Sequence, residues 1–507
     1  MQCAQKKCRK TVNVNVDITA CNLLYYKYTK SNPRRSIMSR YKKAAAAAVA
    51  LTMAFSLFGC ADGEPEETTV TTTTQATVEI KTDKLSEEDA QQVKGVADQL
   101  TGELENKTIK WFSFYDTFHA STSGNTKALS LELFEEKYGG EIEYYPTTWS
   151  NFANELSTKI LGGTGIDFIP GGDLDSFPKG VTNGMFMPVD DYIDYDSVFW
   201  SPVKNLNEMF ELGGKHYVIA TNATAGQVVF YNRSTIDAYG FDDPAELLED
   251  GKWDWDTFKD YLLEFCNPDE GTYGLDGWFN EKPLMMTAGK PALEIRDGKL
   301  ADNFYDHDLE RAMSFQRELF DNGLIVDKSL PEWNWNPHIE YIGEGKELFY
   351  ISGLYEIGSD PEIWTKTFGD QEDVMFVPLP KDPKADVYYL PAGLEAYMMC
   401  KGAGNPEGVI KFMECILAAN SDERTIEINR EKNKNDFGWS DEMLEMSDKI
   451  SEMTLEHPVY DLTNGVSPDL NSLVDSGQTG VRAAFQGGDW ASVRESLDIA
   501  GSENQTV

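Results

Sequence analysis

Between residues 107 and 170 the chain alternates short β-prone runs with segments of helical period, and this order restricts the possible folds more than any other feature. Residues 109–114 form an aromatic, β-prone run. The next segment, 126–138, places Leu129, Leu133, Phe134 and Tyr138 near one helical face before Gly139-Gly140 stops it. Ile142 and Tyr144 then alternate with acids, as in a strand. A second helix follows, with Ser150 as its N-cap, Phe152, Leu156 and Ile160 spaced by four, and Gly162-Gly163 at its end; residues 166–169 form the next strand. Strands separated by helices can return in the same direction, so this rhythm predicts an α/β fold with a mostly parallel, helix-covered sheet.

The pattern recurs downstream. Asp254 is placed to cap a helix whose inner face is Phe258, Tyr261, Leu262 and Phe265. Another helix is expected over 308–322, with Leu309, Ala312, Met313 and Phe320 inward and Gly323 closing it. Asn405-Pro406 opens a third, striped by Val409, Ile410, Met413, Ile416 and Leu417. A chain of 507 residues exceeds the ~250–300 at which a single core splits, so at least two lobes with separate cores are expected.

The start of the chain has a different character. Arg40, Lys42 and Lys43 precede an apolar run over 44–58 that Gly59-Cys60 closes, which is the layout of a secretory signal peptide. The run is shorter than the ~20 apolar residues a membrane span requires. A small residue before cysteine resembles the lipobox of bacterial lipoproteins, which implies cleavage before Cys60 and lipidation of its sulfur. A signal that begins near Met38 marks residues 1–37 as an over-extended start. The acidic stretch 61–67 and the threonine-rich run 68–77 hold too few apolar residues to form a core and read as a disordered tether. Leu85-Ser86-Glu87-Glu88-Asp89 then begins a short amphipathic helix carrying Val93, Val96 and Leu100. After residue 59 the chain carries 34 Lys and Arg against 84 Asp and Glu. Such a surface repels phosphate backbones and anionic lipid, which argues against nucleic acid as a partner and leaves the lipid anchor as the expected membrane contact. Cys266, Cys400 and Cys415 are sparse, odd in number and without metal spacing, so they are expected as buried thiols.

Several short signatures occur in a fixed order. Gly162-Gly163-Thr164-Gly165-Ile166-Asp167-Phe168 is a glycine-rich turn into an aspartate-hydrophobic strand, and Met187-Pro188-Val189-Asp190-Asp191-Tyr192-Ile193 follows it. Next come Gly214-Lys215-His216-Tyr217-Val218-Ile219, Val229-Phe230-Tyr231-Asn232-Arg233 and Trp253-Asp254-Trp255-Asp256-Thr257-Phe258. Gly345-Lys346-Glu347-Leu348-Phe349-Tyr350-Ile351-Ser352-Gly353 and Val377-Pro378-Leu379-Pro380 complete the series. In order and spacing these resemble extracellular solute-binding proteins of family 1, the group that contains the maltose-binding protein, over roughly residues 107–500. The match departs at Ile166 and Ala220, where the family usually has proline.

The resemblance implies a two-lobe, periplasmic-binding-protein-like (type II) fold closing on a ligand in a central cleft. It places one lobe at 107–222 plus 352–399 and the other at 223–351 plus 400–507, with crossings near 221–228, 347–351 and 399–402. It also implies a non-enzymatic monomer that captures an oligosaccharide for ABC permease subunits, needing no cofactor or metal. Sugar rings offer C–H faces to aromatic side chains and hydroxyl rims to carboxylates and amides. On that chemistry and the family order, the candidate ligand-binding residues are Asp116, Trp149, Asp173, Asn222, Gln227, Trp278 and Tyr355, and the lipidation site is Cys60. Trp333-Asn334-Trp335-Asn336, bracketed by Pro331 and Pro337, is a further polar-aromatic loop. The acidic run Asp190, Asp191, Asp194, Asp196 lacks the glycine-centred spacing of a calcium loop. A secreted glycoside hydrolase, which would combine aromatics with a carboxylate pair, and a binding protein for a non-sugar ligand are the rival readings. A surface adhesin would show repeats or sandwich spacing, and neither is found.

Overall fold

The computed structural model describes residues 86–120, 127–278, 282–303, 305–328, 330, 333, 337–359 and 373–466. Cys60, the leader, the tether and Asn334 to Asn336 lie outside them. Helix α1 (Glu87–Ala97) starts where Ser86 accepts the Asp89 amide at 3.1 Å. It does not extend the tether. Val93, Val96 and Leu100 are buried, and Arg424 holds Asp89 at 2.6 Å, so the helix is docked on the main fold.

The first sheet forms as the periodicity predicts. Strand β1 (Thr108–Ser113) leads to α2 (Leu129–Tyr138), β2 (Glu141–Pro146), α3 (Phe152–Leu161) and β3 (Phe168–Pro170). β1 pairs in parallel with β2 on one side and β3 on the other. α3 begins one residue later than expected, with Asn151 at the N-cap position and Ser150 turned toward Thr148 at 3.3 Å. β4 (Val218–Ala225) belongs to the same sheet. It leads through Gly226 directly into β5 (Gln227–Asn232), the first strand of the second sheet.

The second lobe contains α4 (Trp255–Phe265), β6 (Tyr273–Gly277), α5 (Lys282–Met286), the β7 (Leu293–Arg296) and β8 (Lys299–Asp302) hairpin, α6 (His307–Asp321), β9 (Glu347–Gly353) and β10 (Val374–Pro378). Its sheet has the order β10-β5-β9-β6, with β6 and β9 parallel and the other pairs antiparallel. The chain then returns as β11 (Leu390–Met399), which pairs antiparallel with both β4 and β3. After it come α7 (Pro406–Ser421), α8 (Glu423–Phe437), α9 (Asp441–Glu456) and β12 (Pro458–Val459), the last pairing with the start of β11.

The lobe boundaries differ from the sequence expectation in two places. Residues 374–378 pair with β5 and so remain in the second sheet, and the return crossing is at 379–389. β9 lies wholly within the second sheet and crosses nothing. At the other boundary, α7 packs against α2 of the first lobe, with Phe412 edge-on to Phe134 at 5.3 Å. Strand partners are chosen across long sequence separations, and a fully apolar run such as Val374–Pro378 carries no alternation to indicate its sheet.

Two apolar cores result. Trp111, Phe134, Phe168, Phe412 and Met413 fill one face of the first sheet under α1, α2 and α7. Phe112, Phe152 and Leu156 on its other face join a second core that continues to Phe230, Phe258 and Phe349. Cys400 and Cys415 are buried free thiols and Cys266 is half-buried.

The short signatures prove to be scaffold. Asp167 accepts the amides of Lys110 (2.8 Å), Gly404 (2.6 Å) and Asn405 (3.0 Å), binding β1 to the turn before α7. Asp190 clamps the His216 amide at 3.0 Å and its ring at 2.7 Å. The buried Trp253 indole donates to the Pro378 carbonyl at 2.7 Å, joining two of the signatures in space. After α9 a strap crosses between the lobes. β12 pairs with β11, Tyr460 packs edge-on to Phe210 at 5.1 Å, and Asp461 takes the amides of Ala292 and Leu293 beside β7.

Candidate functional site

The carboxyl ends of parallel strands are where open α/β sheets bind ligands, because the loops there diverge and leave a crevice. Five of the candidate residues occupy such positions. Asp116 follows β1, Trp149 follows β2, Asp173 follows β3, Trp278 follows β6 and Tyr355 follows β9. Asn222 and Gln227 lie on the strands joining the sheets, opposite Glu395 and Gly353 respectively.

Aromatic side chains are left open there. Trp149 is 63% exposed, Trp278 47% and Tyr355 55%, and Tyr115, which the sequence reading missed, is 40% exposed. Large rings rarely stand free together without a binding role. Trp149 is held edge-on by Phe114 at 5.1 Å, and Phe114 in turn abuts Tyr115 at 4.8 Å. Tyr355 takes its position from two neighbours. Its hydroxyl accepts the Ser352 hydroxyl at 3.4 Å, and its ring lies where any Cβ on Gly353 would fall, 2.5 Å from the nearest ring carbon.

Electrostatics couples groups from the two lobes. Burial pushes the Tyr355 phenol up to about 12, with Glu356 beside it and Asp173 of the other lobe adding to the rise. The Tyr115 phenol is raised by desolvation and then by Asp173, Asp175 and Glu395. Asp173 is itself raised by desolvation, and Asp175 is pushed up to about 6 by burial and by Asp173. Asp173 nevertheless keeps contact with water, so it stands in a crevice walled by protein and open to solvent. Its loop is held tightly, since Gly172 lies so close to β11 that a Cβ would meet the Leu394 carbonyl oxygen at 2.2 Å.

Glu356, also missed, collects the hydroxyls of Ser352 at 3.0 Å and Tyr350 at 3.2 Å together with the Trp278 indole, which fixes that indole. Desolvation still leaves its carboxyl raised. Tyr115, Asp175 and Glu356 each lie within two residues of a candidate, so scanning the whole loop after each strand would have found them. Asp116 differs from the rest. One oxygen takes the Phe118 and His119 amides at 3.1 and 3.3 Å, and the other meets the His119 ring at 2.8 Å. Burial would raise this carboxyl, but the His119 ring and the two amides hold it below its usual range. Trp333 is buried in the second lobe against Tyr273 at 4.7 Å and His338 at 5.1 Å. Among the described residues no group of three or more His, Cys, Asp or Glu is placed to hold a metal ion, and in the acidic run Asp190 and Asp196 are engaged by His216 and Lys204.

Solved structures share this architecture. A solute-binding protein of an ABC transporter from Thermotoga lettingae TMO, bound with α-D-tagatose, is 16% identical over 79% of this chain and 99% of its own, with a TM-score of 0.52. A substrate-binding protein from Listeria monocytogenes in complex with cycloalternan is 14% identical over 79% and 99%, with a TM-score of 0.51. The galacto-N-biose/lacto-N-biose I-binding protein of Bifidobacterium longum is 13% identical over 78% and 97%, with a TM-score of 0.52. Identities this low establish the two-lobed fold alone. No curated protein matches the chain. The sequence profile of the bacterial extracellular solute-binding proteins matches residues 119–421, more than half of the chain, and the protein therefore belongs to that family.

Proposed function

We propose that this protein captures an oligosaccharide between its two lobes and delivers it to the permease subunits of an ABC importer, held at the extracytoplasmic face of the membrane by lipid on Cys60. One observation carries the reading. Exposed rings and carboxylates from the carboxyl ends of both parallel strand sets converge, with Tyr355 of one lobe in the field of Asp173 of the other. Flat rings suit the C–H faces of sugars and carboxylates suit their hydroxyls. A ligand bridging both lobes favours the closed arrangement, and a membrane partner can read that shape without any chemistry being done on the cargo. The sugar ligands of the structural neighbours, a monosaccharide among them, support sugar as the class of cargo.

The test is thermal stability of the intact chain against gluco-, xylo-, manno- and galacto-oligosaccharides, with chromatography of the sugars afterwards. A true ligand at about 100 times its Kd adds ~2.7 kcal/mol and is recovered uncut. Recovery of shortened products would favour a hydrolase, and the absence of any shift would remove the sugar assignment. Anchoring is tested separately by detergent-phase partitioning of the expressed precursor and of Cys60→Ala, which should move to the aqueous phase.

A further inference from the structure

Among the described residues, the acids Asp173, Asp175 and Glu395 beside the phenols of Tyr115 and Tyr355 have no cation paired with them, while Lys328 and His119 at neighbouring strand ends are engaged by Asp276 and Asp116. Asp173 and Asp175 stand after β3, Glu356 after β9 and Glu395 on β11, and the phenols of Tyr115 and Tyr355 lie within their fields. Among the described residues, neither Asp173, Asp175 nor Glu395 forms an ion pair, and no Lys or Arg is among the main influences on their ionisation. These acids differ in what already satisfies them. Glu395 takes the Asn420 amide at 3.0 Å, Asp175 takes Ser176, and Glu356 takes Ser352, Tyr350 and Trp278. Asp173 has no hydrogen-bond donor among the described residues, although protein encloses it closely enough for desolvation to act on its carboxyl. It is an unpartnered acceptor facing the aromatic platforms of both lobes.

Lobe closure removes the water that now solvates Asp173. A buried carboxylate without a donor is costly, so the bound ligand must supply one. Hydroxyl and ammonium groups can do so. A ligand carboxylate or phosphate cannot, and it would add a like charge as the local dielectric falls.

We propose, resting on the oligosaccharide reading above, that the site selects cargo by charge. It accepts neutral and amine-bearing sugars and rejects those carrying carboxylate or phosphate, with Asp173 as the specificity-determining residue. Asp175 and Glu395 deepen the same negative field, so rejection is a repulsive element built beside the stacking surfaces and not a matter of fit alone.

The experiment is calorimetry on the intact chain with series matched in backbone and differing in charge: xylo-oligosaccharides with and without glucuronate branches, galacto- against galacturono-oligosaccharides, and N-acetylated against deacetylated chito-oligosaccharides. In whichever series the neutral member binds, the acidic member is expected to bind at least ~30-fold more weakly, the effect of one like charge about 8 Å away at an effective dielectric near 20. A deacetylated member should bind no more weakly than its neutral parent. Asp173→Asn keeps the shape of the side chain and should cut the neutral-to-acidic ratio by about the same 30-fold factor, with the melting temperature as the check on folding. An acidic member bound within threefold of its neutral parent would overturn the proposal and leave the sugar reading standing, as would an unchanged ratio in a folded Asp173→Asn. If that variant does not fold, the wild-type ratios alone decide. Failure of every member, neutral ones included, would remove both readings.

Discussion

Substituting Asp461 tests whether the strap after α9 holds the lobes together through one buried carboxylate. Its side chain is 3% exposed and accepts from Ala292 N at 2.6 Å, Leu293 N at 3.2 Å and Thr463 N at 2.9 Å, with the Lys282 ammonium at 3.1 Å. Lys282 is only 16% exposed. Removing one partner of a buried pair typically costs ~3–5 kcal/mol, because the other charge is left without compensation. Asp461→Ala should therefore fall in that range by urea denaturation, with a melting temperature lower by roughly 6–20 °C at the ~2–4 °C per kcal/mol usual for larger domains. Lys282→Met on the Asp461→Ala background should recover at least about 1.5 kcal/mol, since neighbouring partners are not additive. The pH dependence has a defined sign. Burial alone would raise the Asp461 carboxyl, but Lys282 and the Thr463 amide outweigh it and hold the carboxyl below its ordinary value. Its contribution is then present in full above the ordinary carboxylate range and lost as pH falls through the depressed value. The gap between wild type and Asp461→Asn should accordingly be wide at pH 7 and shrink below about pH 4. An Asp461→Ala protein within 1 kcal/mol of wild type at pH 7 would refute the reasoning.

Other outcomes can be measured on the same protein. Gly353→Ala puts a Cβ 2.5 Å from the Tyr355 ring, and because that ring is half-exposed it can swing aside, so ligand affinity should drop about tenfold or more in calorimetry with little change in stability. Asp175→Asn should stabilise the unliganded protein above pH 6 by no more than about 2 kcal/mol and have no effect near pH 4. The reason is that a carboxyl pushed up to about 6 costs stability as pH rises through that value, and differential scanning calorimetry at the two pH values checks it. Trp253→Phe removes the 2.7 Å bond to the Pro378 carbonyl and leaves a buried acceptor unpaired, so denaturation should show a loss of ~1–3 kcal/mol. Ser86→Ala should cost about 1 kcal/mol by loss of the α1 cap, visible as faster hydrogen exchange in that helix.

Local order was legible from the residues. The periodic stripes of Phe258, Leu262 and Phe265 and of Val409, Met413 and Ile416 became buried helix faces in α4 and α7, and Asp254 and Asn405 cap them as their side chains require. The loop that carries Trp149 was legible too, because it follows the strand of Ile142 and Tyr144, whereas Trp278 and Tyr355 were reached through the family order. Roles were harder to read. Asp116 looked as free as Asp173, yet its two nearest amides and His119 occupy it. No property of the residue itself separates the two cases, since the difference is which donors the fold brings close.

The division follows the range of the forces involved. Helix periods, caps, glycine turns and the order of strands depend on neighbours a few positions apart, so the chain alone determined the α/β rhythm, the two lobes and the loops at the strand ends. Which sheet takes residues 374–378, which lobe α7 covers, and that Tyr355 comes within the field of Asp173 depend on contacts between segments far apart in the chain. Those choices are made by packing and desolvation once the whole chain has collapsed, so only the tertiary structure decided them.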